Sequence, residues 1–425
     1  MLEDQYGNAL STTSQPARDA YVDAVDRFLA ADSGIEEAFE KAIDADEQFA
    51  LAYLGLARIR QMFGKTSLVA EPLAGARARI EHLTSRETGQ IRAIGLLLEG
   101  KGHEAYKAIR SHLDQYPRDV MVAQPLTGVF GLIGFSGQQG RESEQLAFTT
   151  WLAPHYGDDW WFLSQHAFAQ LETGQTGPAE RTIERSLSGN PRSANGAHVR
   201  SHLYYENGET DAGAAYLEEW RHNYDKCGLL HCHISWHTAL WAMARGDIVK
   251  MWNVIDADIV PGSASGPPIN VLTDLAAILY RAELAGINVP AERWREVSDY
   301  ALKFFPKPGI AFADVHAALA HALAGNTEAL AVLIVEATGP AADLVSEFAQ
   351  AFSAMVAENW AQAISHFSVA MTDHARIGGS RAQRDLLEFA MAAAFLRQGH
   401  SNQARFMLSL RRPKTTPSLV VKGLR

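Results

Sequence analysis

Four histidines fall into two pairs of identical internal spacing, His198/His202 and His233/His237. On a helix, a separation of four places both imidazoles on one face, one turn apart. The pairs lie 35 residues apart, close to the roughly 34-residue period of a helix–turn–helix repeat. Successive repeats would therefore set the two histidine faces side by side. Neutral imidazoles ligate borderline metals, so the four rings could clasp a divalent, zinc-like ion, with Glu206 one turn beyond His202 as a further oxygen donor. Without a metal, the same rings suit acid/base work near neutrality, because a carboxylate can fix an imidazole's tautomer. Asp274 and Asp314 are the carboxylates expected to do this, Asp314 by orienting His316. The helical zinc signature H-E-x-x-H is absent, as is the G-x-S-x-G elbow of serine hydrolases.

Turn glycines give a ruler for placing further residues. Gly174, Gly208, Gly246, Gly286, Gly325 and Gly399 each follow an alanine- or leucine-rich stretch, where a glycine supplies the left-handed cap that ends a helix. His166, His198, His237 and His316 lie eight to ten residues before Gly174, Gly208, Gly246 and Gly325. If these are the first helices of successive pairs, the four rings share one height on an inner wall. Trp236, beside His237, is expected on a pocket wall.

The elements that must position these rings are helical. Ala38 to Ala57 carries the small and large apolar positions of a tetratricopeptide-like repeat, with Glu47 where that repeat usually has proline. Strand-length alternation is lacking, and so is a glycine-rich phosphate loop. The expected fold is an all-α, right-handed superhelix of tetratricopeptide-like helix pairs, an α/α solenoid in a single domain over residues 20–412. Residues 1–19 would be an extension and 413–425 a tail, with Arg411–Pro417 a solvated basic strap. Gly262–Pro268 is expected as a loop, and Asp158-Asp159 as the amino-terminal cap of the following helix.

Composition bounds the partners. The chain has 425 residues and a formal net charge of −11, which disfavours nucleic acid and anionic membrane surfaces. No apolar run approaches the roughly 18 residues that span a bilayer, and the amino terminus lacks the pattern of a secretory signal. The 2 cysteines, Cys227 and Cys232, are too few for a disulfide framework; each is expected as buried filler, in a cytoplasmic protein. Closely packed alanine faces would allow a homodimer.

Several segments together resemble the tetratricopeptide repeat protein 38 family over roughly residues 20–412. Ala197–His202 with Glu206 and Gly208 is similar to a His-Ala-x-Ala-His-x-x-Glu-x-x-Gly segment, although here the glycine follows the glutamate by two. Cys232–Leu240 resembles Cys-His-x-x-Trp-His-x-Ala-Leu. Asp274 with Leu279-Tyr280-Arg281, Phe312–His316 and Gly378–Asp385 look like three more. The family often has histidine at the position of Arg381 and an aromatic at that of His166. The resemblance implies a tetratricopeptide-like superhelix whose distinctive positions are polar and inward-facing: the four paired histidines, Asp314 and His316, with Trp236, Asp274, Arg281, Arg381, Gln383, Arg384, Asp385 and His166 around a ligand.

Three functions fit these residues. In the first, the pocket binds a small polar or anionic molecule, since histidine and arginine together suit carboxylate or phosphate. In the second it is an enzyme, a hydrolase or lyase, in which His202 or His237 is the base and Arg384 stabilises developing negative charge. In the third, the solenoid is an adaptor that grips a peptide in its groove.

Overall fold

The structure, a computed structural model, describes residues 2–81, 83–411 and 420–424. It is an all-α solenoid of tetratricopeptide-like helix pairs. Among the described residues there are 22 α-helices, two short 3₁₀ turns and one small hairpin, Leu2–Glu3 against Ala9–Leu10. Consecutive helices joined by short turns pack against one another as αα-hairpins. Local chemistry sets their ends. Asp159 accepts the Phe162 N–H at 2.8 Å, and Ser193 accepts that of Gly196 at 3.1 Å. Ser380 with Gln383, and Thr84 with Glu87, form reciprocal capping boxes.

All six ruler glycines adopt left-handed φ, between 72° and 87°. At Gly325 a Cβ would meet nothing within 4 Å, so only backbone conformation is at stake there. Gly325→Ala should therefore destabilise the protein by about 1 kcal/mol in urea unfolding, without changing its spectra.

Burial separates two kinds of helix. An outer one such as Thr176–Gly189 buries only Ala179, Thr182, Ile183 and Ser186, a single stripe. Four others are buried on every side through their central turns: His231–Ala244, Pro268–Leu284, Ala311–Ala324 and Arg381–Arg397. A helix apolar or paired all round belongs inside a core. The solenoid closes on itself around them. Arg141 donates to the carbonyls of Ala375 and Gly379, and Arg281 to that of Ala382. Asn195 donates to the Leu29 carbonyl, and the Leu229 N–H to that of Ala31. The inner wall is thus a closed interior rather than an open groove.

Both ends carry packed residues. Residues 2–10 are packed in, with Tyr6 and Leu10 buried, and the first helix, Gln15–Ala30, begins before residue 20. Ser11 is held by Glu87, and Ala9 by Arg86, across the repeat. Val420 and Val421 are buried, and the Lys422 N–H reaches the Leu284 carbonyl; most of the basic strap lies outside the described residues. Cys232 is buried as expected, whereas Cys227 is exposed. Gly262–Pro267 is irregular, and Pro268 opens a helix. No helix among the described residues is long and apolar enough to cross a membrane.

Candidate functional site

The paired histidines meet. Helix Ala194–Asn207 supplies His198 and His202, and His231–Ala244 supplies His233 and His237; all four are buried. Their nearest ring nitrogens lie within 4.8 Å of one another. His198 Nε2 is 2.8 Å from His202 Nε2 and 3.0 Å from His233 Nε2. Behind them, His233 Nδ1 is 2.9 Å from both oxygens of Asp274, which Pro268–Leu284 carries. An ionised Asp274 requires that Nδ1 hold its proton, so the lone pair of His233 Nε2 points at His198. Trp236 stacks on the His233 ring at 5.3 Å and 11°, which fixes its plane from the other side.

Three converging Nε2 atoms cannot all be satisfied by protons they share. A neutral His198 can place one proton at Nε2; without it, its lone pair would face that of His233. A cation held by the lone pairs removes this conflict. Both ring nitrogens of His237 are buried without a hydrogen-bond partner, an arrangement that calls for something bound. Tetrahedral zinc with nitrogens at 2.0–2.1 Å spaces its ligands about 3.3 Å apart, so His202 and His233 need draw back from His198 by only a few tenths of an ångström, while the wider pairs, at up to 4.8 Å, must close in. Burial, reinforced by the neighbouring imidazoles, holds His198 and His237 well below the usual histidine range. Both are therefore neutral, as ligation requires. Burial also raises Asp274, against the pull of His233 and its neighbours.

The other expected site residues surround this centre without joining it. His316 donates from Nδ1 to the Phe312 carbonyl at 2.7 Å, and Asp314 instead accepts the Gly309 N–H, so Asp314 does not orient His316. Two residues apart on a helix, they face different sides. Burial takes Asp314 up to about 6 and His316 down to about 4. Arg384 is occupied by Glu142 and the Gly379 carbonyl, with Glu172 at 3.8 Å, so it is not held ready for developing negative charge. Arg381 lies 3.7 Å from Glu206, which draws that carboxylate away from a ligating role. Arg281 lies over Trp236 at 5.9 Å and reaches the Tyr205 hydroxyl at 3.4 Å, which itself donates to Asp385 at 2.8 Å. His166 sits apart, between Thr149 and Gln170. Trp236 is wholly buried behind the centre rather than on a pocket wall.

A cavity of about 240 Å³ adjoins the centre, and of the four rings only His198 and His233 border it. Its walls are mainly apolar, including Phe28, Met62, Phe130, Phe135, Phe168 and Leu230, with polar points at Arg58, Gln124, Gln165, Asn195, Asn270 and Gln383. The Gly378-Gly379 turn packs against Phe135, a cavity residue, and Phe312. A Cβ at Gly379 would lie 2.2 Å from the Phe312 ring, and its φ is 69°, so only glycine lets the chain pass. Arg58 and the Gly128–Phe135 segment were not singled out from sequence. The glycines of that segment were a legible sign of close packing, since a Cβ at Gly134 would meet the Val129 carbonyl oxygen at 1.9 Å. Nothing in the sequence around Arg58 distinguishes it from a surface arginine.

No family model matches this chain. Among solved structures it is similar to the human IFIT1 dimer with PPP-AAAA, at 13% identity and a TM-score of 0.43, over 97% of this chain and 94% of that one. It is also similar to yeast Tom70, at 13% identity and a TM-score of 0.38, over 95% of this chain and 86% of that one.

Proposed function

We propose that this protein binds a divalent transition metal at His198, His202, His233 and His237 and uses it to hold a small molecule in the adjoining cavity. The observation that carries the reading is the convergence of four buried imidazoles whose nitrogens lie within 4.8 Å of one another. Asp274 supports it as the orienting partner of His233, because a carboxylate on the outer nitrogen of a ligating histidine fixes its tautomer and raises its basicity. All-nitrogen donors favour zinc, copper, nickel or cobalt over magnesium or calcium. A ligand entering beside His198 and His233 would add a fifth donor to the ion. If the protein is an enzyme, polarisation of a carbonyl or of water by that metal makes hydrolysis the reaction class that fits. The resemblance to the tetratricopeptide repeat protein 38 family agrees with this reading, since the segments that carry it contain all four histidines and Asp274. An adaptor would need an open inner groove, whereas the inner helices here are buried on every side.

Titration of the chelator-stripped protein with Co²⁺ and Zn²⁺ tests the reading. We expect one equivalent to bind, with visible cobalt absorption bands of a nitrogen-ligated ion and a rise in melting temperature. Absence of saturable binding by either ion up to millimolar concentration would sink it.

A further inference from the structure

The cavity carries one cation among its described lining residues, Arg58. Its two hydrogen-bonded side-chain partners are neutral. Nη1 donates to Gln61 Oε1 at 2.5 Å and Nη2 to Gln124 Oε1 at 3.3 Å, while Nε is buried without a partner. Three of the four most deeply buried arginines have a carboxylate partner, whereas the fourth, Arg281, donates to the Ala382 carbonyl and lies over Trp236. Arg86 meets Asp119 at 2.9 Å, Arg384 pairs with Glu142, and Arg141 has Glu142 at 3.6 Å. Arg58 has no carboxylate within ion-pair distance among the described residues. Arg58 is partly withdrawn from water, and a cation desolvated without a counter-charge is costly unless an anion arrives.

We infer that Arg58 is the anion-binding pole of this cavity and that its ligand is a small amphipathic monocarboxylate, with its carboxylate on the Arg58 guanidinium and its body along the aromatic and aliphatic walls. This deepens, and rests on, the reading of the cavity as a small-molecule site. One lining arginine suits a monoanion better than a phosphate dianion, and its planar fork matches a carboxylate. The walls are apolar, so the rest of the molecule is hydrocarbon. At about 240 Å³ the space is below the roughly 300–1,000 Å³ of drug-sized sites, which points to a medium-chain or arylalkyl acid. Burial with no compensating charge draws Arg58 down to about 10, so it remains a cation at neutral pH. Gln61 and Gln124 hold it in place without neutralising it.

Calorimetric titration of the full chain with octanoate and octanamide, zinc-loaded and chelator-stripped, tests this. Octanoate should bind in both states, and octanamide about 10- to 100-fold more weakly. Arg58→Gln should lower octanoate to the level of octanamide, and Arg58→Lys should keep most of the difference. Metal stoichiometry, measured on the same samples, should stay unchanged in both variants, which separates failure of this proposal from failure of the metal centre. Equal affinity for acid and amide, or no heat from octanoate, overturns the proposal on the unaltered protein, even if the variants misfold. So does octanoate binding that survives Arg58→Gln but vanishes with the metal, since the carboxylate would then sit on the ion.

Discussion

His198→Ala should weaken zinc binding by more than about 100-fold, beyond the roughly 10- to 100-fold that loss of an orienting outer partner costs. His198 is the centre of the cluster: its Nε2 lies within 3.0 Å of those of both His202 and His233. Removing it leaves the two remaining partners without their common neighbour. Asp274→Asn should fall in the 10- to 100-fold range, because an amide oxygen can still accept the His233 proton but adds no charge. The stabilisation that zinc confers should shrink in parallel, since a ligand at 100 times its Kd contributes about 2.7 kcal/mol. Far-ultraviolet circular dichroism should be unchanged, because helix Ala194–Asn207 keeps its Ser193 and Gly208 caps. Affinity equal to the parent in His198→Ala would show that the ion, if any, sits elsewhere.

The second large effect concerns pH, and it is a difference between two proteins. His321 is buried against Ser298, 2.8 Å from its hydroxyl, and burial draws it from 6.5 to about 4. A base with a lowered folded value binds its proton more readily when unfolded. Its contribution to stability is therefore complete above about pH 6.5 and is lost as pH falls toward 4. Between pH 7 and pH 5 that loss amounts to about 2 kcal/mol. The raised carboxyl groups act in the opposite sense: Asp314, taken up to about 6, and Glu172, taken up to about 7, bind protons more tightly when folded. They favour the folded state as pH falls and flatten the curve of the whole protein. His321→Gln keeps a polar group beside Ser298 and does not titrate. Its urea-unfolding free energy should fall by about 2 kcal/mol less than the parent's between pH 7 and pH 5. Identical pH dependence in the two proteins would mean that His321 is already charged in the folded state or open to water.

What the sequence determined by itself is what depends on near neighbours along the chain. Two residues four apart on a helix share a face whatever surrounds them, so the His198/His202 and His233/His237 pairs could be read directly. So could the stops at the six turn glycines and the cap at Asp159, because a left-handed φ and an N-cap hydrogen bond are decided within a few residues. The 35-residue offset carried the inference that the two histidine faces meet, since a repeat places equivalent positions side by side.

The tertiary structure alone decided everything that depends on which charge meets which. Arg384 is claimed by Glu142, 242 residues away. Asp274 reaches His233 across 41 residues, whereas Asp314, only two residues from His316, turns to another side. Arg58 reads as an ordinary surface arginine until the closing of the solenoid places it on a cavity wall with no carboxylate beside it. Ion pairing and enclosure depend on distance in space, and in a solenoid that folds back on itself that distance bears no simple relation to separation along the chain.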